Sequence, residues 1–179
     1  MNPLELPVYN QRKRILDALE EHQVIVVESP TGSGKTTQLP LILHEAGYDK
    51  RGVIGVTQPR RIAAVSVTEY ICSQTETELG ELAAYKMRFE DTTKPETRIK
   101  IMTDGILLQE VKLDEHFSEY SVMIVDEAHE RSLNIDFVLG LLKRALSLRK
   151  DLRVIVSSAT INAGVFSEYF DNYIGRASC

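Results

Sequence analysis

The sequence predicts an α/β fold in which a mostly parallel β-sheet carries helices on both faces. Short apolar runs rich in β-branched residues, of which residues 24–27 are an example, alternate along the chain with segments of helical periodicity. Strands that alternate with helices form parallel sheets, and unbroken apolar runs are typical of strands buried on both faces. Because the ligands of such sheets bind at the carboxyl ends of the strands, the site residues are expected there.

The elements are predicted in chain order from apolar periodicity and from helix start and stop signals. An amphipathic helix over residues 10–21 places Ile15, Leu16, Ala18 and Leu19 on one side. The apolar runs predict strands at residues 24–27, 53–57, 99–103, 122–125 and 154–156. Helices are predicted after the first four of these strands: one that ends near Gly47 as a C-terminal cap, one with Pro59 in its first turn that ends near residue 74, one from Asp104, and one that includes residues 138–148.

The composition is that of one folded domain over residues 1–179. A hydrophobic share of 43% and a charged share of 26% in 179 residues exclude a disordered chain and allow one sizeable core. The net charge of −5 argues against a protein held on nucleic acid by bulk charge, since such domains are usually basic. Any nucleic-acid contact must therefore depend on a local cluster of basic residues.

The cysteines and the apolar runs indicate the compartment. Cys72 and Cys179 form neither a metal-ligand spacing nor a disulfide framework, which favours a reducing environment. No apolar run approaches the length of a membrane span, and the first residues lack the apolar core of a signal peptide. The sequence therefore predicts a cytoplasmic or nuclear protein without membrane contact, and we expect a monomer.

A glycine-rich string, SPTGSGKTT at residues 29–37, follows the first strand. A strand-to-helix turn of this kind directs backbone N–H groups and a helix N-terminus toward a polyphosphate. Lys35 is predicted to reach the β- and γ-phosphates, and the Thr36 hydroxyl to hold Mg²⁺. Ser29 stands where the usual pattern has its first glycine, and the loop is expected to tolerate it. The predicted nucleotide ligands are Thr31, Gly32, Ser33, Gly34, Lys35, Thr36 and Thr37.

Two adjacent carboxylates, Asp126 and Glu127, follow the apolar run at residues 122–125. Phosphoryl transfer depends on a metal ion and a positioned water more than on covalent chemistry. Asp126 is therefore predicted to orient Mg²⁺ through water, because Mg²⁺ retains several of its waters in proteins. Glu127 is predicted to lie at the metal and to take the proton from the attacking water. Together with the glycine-rich string at residues 29–37, the predicted phosphate-binding loop, these residues predict a site for ATP and Mg²⁺.

The strings TGSGKT at residues 31–36 and DEAH at residues 126–129 resemble the DEAH-box branch of superfamily 2 helicases. Four further strings agree with that family in order and spacing: TQPRRIAA at 57–64, YKMRFEDTT at 85–93, TDGILLQE at 103–110 and SAT at 158–160. The resemblance covers nearly the whole chain. It implies the first RecA-like domain of an ATP-driven motor that acts on single-stranded nucleic acid, expected to be RNA, and a second RecA-like domain in the same longer protein.

The resemblance also implies roles for residues outside the nucleotide site. The TQPRR and TDG segments and the RFED turn would contact the nucleic-acid backbone, and the SAT segment with His129 would link hydrolysis to strand movement. Backbone contacts position a strand without reading its sequence. Because the net charge is negative, nucleic-acid binding requires a local basic cluster, which would consist of Arg60, Arg61, Lys86 and Arg88. The implied nucleic-acid contacts are Arg60, Arg61, Arg88, Thr103, Asp104 and Gly105, and the implied coupling residues are His129, Ser158 and Thr160.

Two departures from the family pattern lead to further hypotheses. Many members carry an arginine beside the adenine ring where this chain has Tyr70, and an aromatic face stacks on a base as an arginine plane does. Tyr70 is therefore predicted to line the base pocket. The family's arginine fingers belong to its second domain, and an absent finger costs on the order of 10³–10⁵ in rate. Residues 1–179 alone are therefore expected to bind nucleotide and to hydrolyse it poorly. The sequence assigns no clear role to the tail, residues 171–179.

Two other functions stay open at this point. A non-catalytic module could regulate a partner through its nucleotide state, although Lys35, Thr36, Asp126 and Glu127 are all present where a retired enzyme could have lost one. An ATPase without a nucleic-acid substrate would share these residues and would not need the arginine cluster. Binding of single-stranded RNA separates this last reading from a helicase.

Overall fold

One sheet with helices on both sides organises the chain, and the computed structural model describes residues 3–130, 132–160, 163–170 and 174–178. The strands are β1 (Val24–Glu28), β2 (Val53–Gln58), β3 (Ala83–Met87), β4 (Glu90–Asp91), β5 (Ile99–Thr103), β6 (Tyr120–Val125), β7 (Arg153–Ser158) and β8 (Ile174–Ser178). The helices are α1 (Pro7–Asn10), α2 (Arg12–Glu21), α3 (Lys35–Glu45), α4 (Arg61–Thr75), α5 (Asp104–Val111), α6 (Leu133–Leu148) and α7 (Ala163–Tyr169). No helix among the described residues is both long and apolar enough to cross a membrane.

The strand order places the candidate motifs at one edge of the sheet. The order is β4-β3-β5-β2-β6-β7-β1-β8. Neighbouring strands are parallel except β3 and β4, which form an antiparallel hairpin. The carboxyl ends of the parallel strands therefore meet at the same edge. The phosphate-binding loop leaves β1 there, the acidic motif leaves β6, and β7 lies between these two strands.

Side chains that alternate along the strands form two apolar layers. In β1, Val24 and Val26 belong to the layer that includes α5 and α6, whereas Ile25 and Val27 belong to the layer that includes α2 and α3. Burial of one such side chain contributes about 1.5–3 kcal/mol. Helices are therefore needed on both faces, and the predicted α/β fold class is confirmed.

Most predicted elements agree with the structure to within a few residues, and the deviations have local causes. The helix predicted over residues 10–21 corresponds to α2, which begins at Arg12, and Gln11 separates it from the short helix α1. Pro59 lies outside α4, whose N-cap is Arg60 in an extended conformation, with φ −119° and ψ 132°. A residue that precedes proline is driven toward extended backbone, so β2 continues to Gln58 and the helix begins later than predicted.

Two strand regions are absent from the sequence prediction. The RFED segment, interpreted as a turn, belongs to the hairpin of β3 and β4, and β3 pairs with β5 from Ala83 to Lys86. Its sequence AAYKM is poor in β-branched residues, so pairing with a neighbouring strand determines its conformation more than local propensity does. Within the tail, β8 pairs in parallel with β1. Residues 171–173 and 179 lie outside the described part of the chain.

Candidate nucleotide site

The loop between β1 and α3 has the backbone that its glycines predict. Gly32 and Gly34 have φ values of 84° and 86°, a region that residues with a Cβ seldom adopt. A Cβ on Gly34 would lie 2.7 Å from Cδ1 of Leu6, so this position also lacks space for a side chain. Ser29 is not among the described residues with positive φ. A glycine is therefore not required there, which explains why the loop accommodates serine.

A cleft of about 170 Å³ opens over this loop. Lys35 is only 3% exposed, and its ammonium donates a hydrogen bond to the carbonyl of Ser29 at 3.0 Å. The same Nζ lies 3.9 Å from Oε1 of Glu127. The predicted ligand Ser33 is buried and does not line the cleft. The lining residues are Thr31, Gly32, Gly34, Lys35, Thr36, Thr37 and Glu127.

Asp126 joins the acidic motif to the phosphate-binding loop. Its Oδ2 accepts a hydrogen bond from the Thr36 hydroxyl at 2.6 Å and another from the Gln58 amide at 2.5 Å. Its Oδ1 is buried and has no hydrogen-bond partner among the described residues. A buried carboxylate oxygen without a donor is costly, and a water of a magnesium ion would satisfy it. Thr36 and Asp126 therefore fit the predicted Mg²⁺.

Glu127 occupies a strained backbone conformation at the mouth of the cleft. Its φ is 54°, in the left-handed region, which costs a non-glycine residue on the order of 1–3 kcal/mol. Burial raises the pKa of its carboxyl group, and the neighbouring charge of Asp126 raises that pKa further. A carboxylate with a raised pKa is a stronger proton acceptor, which agrees with the predicted general base.

His129 connects Glu127 with the segment after β7. The backbone N–H of Ala159 donates to Nδ1 of His129 at 3.3 Å, so the ring proton belongs on Nε2. That nitrogen lies 3.1 Å from Oε2 of Glu127. Ser158 connects the same segment with the loop after β1. Its hydroxyl donates to the carbonyl of Thr160 at 2.6 Å, and its carbonyl accepts from the Ser29 N–H at 3.2 Å.

The predicted nucleic-acid contacts lie around the same edge of the sheet. Arg60 and Arg61 stand at the start of α4, and both are exposed. Arg88 is exposed at the tip of the hairpin of β3 and β4, with its guanidinium 5.2 Å from the ring centroid of Phe89. Lys86 donates to Glu110 at 2.9 Å. It is therefore neutralised within the chain, whereas Arg61 and Arg88 have no ion-pair partner among the described residues.

The TDG segment forms the junction between β5 and α5. Thr103 is the N-cap of α5, and Asp104 is its first residue. Asp104 is 4% exposed, and burial raises its pKa to about 6, with the charges of Glu130 and Asp126 acting in the same direction. Among the described residues, a Cβ on Gly105 would meet only Nδ2 of Asn134, at 3.9 Å. The Asp104 side chain thus faces the protein interior, whereas Thr103 and Gly105 are partly exposed.

Tyr70 lies on α4, outside the set of residues that line the cleft. Its side chain is 42% exposed. It precedes Gln74 by one helical turn, and Oε1 of Gln74 accepts a hydrogen bond from Gln38 of α3 at 2.9 Å. Residues four apart share a helix face, so Tyr70 is on the side of α4 that meets the helix of the phosphate-binding loop.

Sequence reasoning missed Gln58 and Glu130 as parts of the site. Gln58 is the last residue of β2, which neighbours β6, and this adjacency brings its amide to Asp126. Glu130 follows the acidic motif and pairs with Arg60 at 3.0 Å. The signal for Gln58 lay in its position at a strand end, because the carboxyl ends of adjacent parallel strands meet.

The family model described as DEAD/DEAH box helicase matches residues 9–167. The chain belongs to this family. The predicted membership is therefore confirmed.

Three relatives of this helicase domain are named ATP-dependent RNA helicase HrpA or its homolog. The protein of Borreliella burgdorferi is 58% identical over 96% of the chain, that of Haemophilus influenzae is 54% identical over 95%, and that of Escherichia coli is 51% identical over 95%. The chain spans 21% of the length of the first relative and 13% of each of the others. Most of each relative thus lies outside the matched region.

Proposed function

We propose that this domain binds ATP with Mg²⁺ between β1 and β6 and couples its hydrolysis to movement on single-stranded RNA. The observation that carries the proposal is the 2.6 Å hydrogen bond from Thr36 to Asp126. It joins the phosphate-binding loop to the acidic motif, so that both motifs face one nucleotide. In the proposed enzyme this domain is one half of a motor, and a second RecA-like domain completes the catalytic site.

Each polar group of the cleft has a task in this proposal. Lys35, released from the carbonyl of Ser29, neutralises the terminal phosphates, and the N–H groups at the start of α3 add partial positive charge. Thr36 and Asp126 hold Mg²⁺, which supplies charge neutralisation at the phosphates. Glu127 takes the proton from the attacking water. Its bond to His129 connects that event to the segment after β7.

RNA is the proposed substrate because the relatives are named as RNA helicases and because the arginines at the start of α4 and at the hairpin tip are exposed. The lengths of the relatives support a longer motor protein, since the chain covers only 13–21% of them. Phosphate contacts from arginine give affinity without sequence selection. A motor that moves along a strand requires this property.

The nucleic-acid proposal is tested with the variant Arg60→Ala/Arg61→Ala/Arg88→Ala in a filter-binding assay with single-stranded RNA at several salt concentrations. The slope of log affinity against log salt is negative, and each lost phosphate contact on a single strand reduces its magnitude by about 0.7, so the slope of the variant should be less steep by about 2. Affinity at low salt should fall at least about 10-fold.

A matched control removes the same charge elsewhere. The variant Arg51→Ala/Lys112→Ala/Lys150→Ala changes three exposed cations. Arg51 and Lys150 precede β2 and β7, at the strand ends opposite the site, and Lys112 is the C-cap of α5. It should retain most of the affinity and slope of the unmodified chain. Equal losses in the two triple variants would favour non-specific attraction, and no loss in either would favour an ATPase without a nucleic-acid substrate.

Tyr70 is proposed to stack on the base of the nucleotide. The variant Tyr70→Ala should lower the affinity for Mg-ADP by about 2- to 12-fold, because an aromatic stacking pair contributes about 0.5–1.5 kcal/mol. Tyr70→Phe keeps the ring and should bind as the unmodified chain does. Fluorescent-nucleotide titration measures both, and an unchanged affinity of Tyr70→Ala would exclude this role.

A further inference from the structure

One of the arginines proposed to contact nucleic acid, Arg60, already forms an ion pair within the chain. Nη2 of Arg60 donates to Oε1 of Glu130 at 3.0 Å. The Arg60 side chain is 74% exposed and the Glu130 side chain is 32% exposed. The guanidinium is therefore accessible to solvent while one of its donors is held by a carboxylate. A phosphate oxygen and a carboxylate oxygen make the same kind of charge-assisted bond to such a donor.

Glu130 is fixed to the nucleotide site by its own backbone. It ends the short 3-10 turn Ala128–Glu130, and its N–H donates to the carbonyl of Glu127 at 2.9 Å. Ligand atoms of Glu127, His129 and Glu130 all lie within 4.8 Å of one another. The pair with Arg60 thus connects the start of α4 with the residues around the candidate general base.

The charge of Glu130 acts on two other groups of the site. After burial and the charge of Asp126, it contributes to the raised pKa of Glu127. It also contributes to the raised pKa of Asp104 in the TDG segment, where burial is the main cause. Arg60 is the cation that balances this charge in the described structure. Loss of that partner would leave the carboxylates around Glu127 with stronger mutual repulsion.

We propose that Glu130 is an internal competitor for nucleic-acid phosphate at Arg60. In the free protein its carboxylate neutralises the guanidinium, and a backbone phosphate of the bound strand takes its place. The proposal rests on the proposed function of Arg60 as a nucleic-acid contact. The exchange is easy because an ion pair this exposed is weak and is screened by salt. It makes Glu130 a positioning residue whose partner depends on whether a strand is bound.

The test is a double-mutant cycle on the 179-residue chain with Arg60→Ala, Glu130→Gln and the combined variant. The readout is the affinity for a fluorescently labelled single-stranded RNA at low salt. Glutamine keeps the shape of Glu130 and removes its charge, so Glu130→Gln should bind RNA about 3-fold more tightly than the unmodified chain. Arg60→Ala should bind more weakly. The combined variant should bind as Arg60→Ala does, because the competitor has no target without the guanidinium.

The control and the salt dependence separate competition from a general change of charge. Glu115→Gln removes an equal charge from an exposed pair with Arg144, in which the two side chains are 59% and 66% exposed, and it should leave RNA affinity within the error of the assay. The gain from Glu130→Gln should shrink as salt rises, because the pair it removes is already screened. Glu130→Ala should give a gain in the same direction.

The outcomes distinguish the two proposals. If Glu130→Gln binds no more tightly than Glu115→Gln, or if its gain persists fully in the Arg60→Ala background, Glu130 does not compete at Arg60 and the inference is wrong. If RNA affinity is the same for the unmodified chain, Arg60→Ala and the triple arginine variant, these arginines do not contact nucleic acid. The proposed function is then wrong at this point, whatever the effect of Glu130→Gln. A gain that depends on Arg60 supports both.

Discussion

The 179-residue chain alone is expected to bind Mg-ATP but to hydrolyse it on the order of 10³–10⁵-fold more slowly than a protein that also supplies an arginine finger. Among the described residues that line the cleft, Lys35 is the single cation. The charge that develops on the transferred phosphoryl group is therefore under-stabilised in this domain. Ground-state binding depends on the loop and is expected to persist.

Single-turnover hydrolysis of γ-labelled ATP measures this deficit, with and without single-stranded RNA. The comparison is the same assay on a full-length relative such as the Escherichia coli protein, of which this chain spans 13%. Glu127→Gln is the control for contaminating ATPase, because any genuine turnover by the chain should fall further without the carboxylate. Rapid RNA-stimulated turnover by the chain alone would contradict the prediction.

Lys35→Met is expected to lower the affinity for Mg-ATP by about 10- to 150-fold, because a hydrogen bond between charged groups in a desolvated site contributes about 1.5–3 kcal/mol. Lys35 is 3% exposed and lines the cleft. Methionine fills a similar volume without charge. Isothermal titration calorimetry with a non-hydrolysable ATP analogue and Mg²⁺ measures the change.

Two controls accompany that measurement. Lys112→Met removes an exposed cation from the end of α5 and should leave nucleotide affinity unchanged. Circular dichroism of Lys35→Met checks that the domain still folds, since the substitution leaves the carbonyl of Ser29 without its donor. A folded Lys35→Met variant that binds ATP normally would remove Lys35 from the site.

The elements that the sequence predicted well are those with strong local signals. The buried β-branched run of β1 and the positive-φ glycines of the following loop specify their conformation within a few residues, and so does the apolar run before Asp126. Parallel topology then brings Thr36 and Asp126 to one edge. This is why the candidate nucleotide site could be outlined from residue types and order alone.

The features that the sequence did not predict depend on contacts between distant segments. β3 adopts its conformation beside β5, and Gln58 reaches Asp126 because β2 and β6 are neighbours. The Arg60 and Glu130 pair joins residues 70 positions apart. No local pattern encodes such a partner, and an arginine in a string that resembles a nucleic-acid motif carries no sign that a carboxylate already holds it.

The place of β7 between β1 and β6 sets the width of the candidate nucleotide site. Adjacent strands are separated by about 4.7–4.9 Å, so the loop after β1 and the loop after β6 begin about 9.5 Å apart. Between them, the end of β7 is bonded to both sides: Ser158 accepts from the Ser29 N–H, and Ala159, the next residue, donates to His129. In the proposed reaction, the water that attacks the terminal phosphate would lie near the end of β7. A displacement of either neighbouring loop would therefore be transmitted to this strand end through its hydrogen bonds.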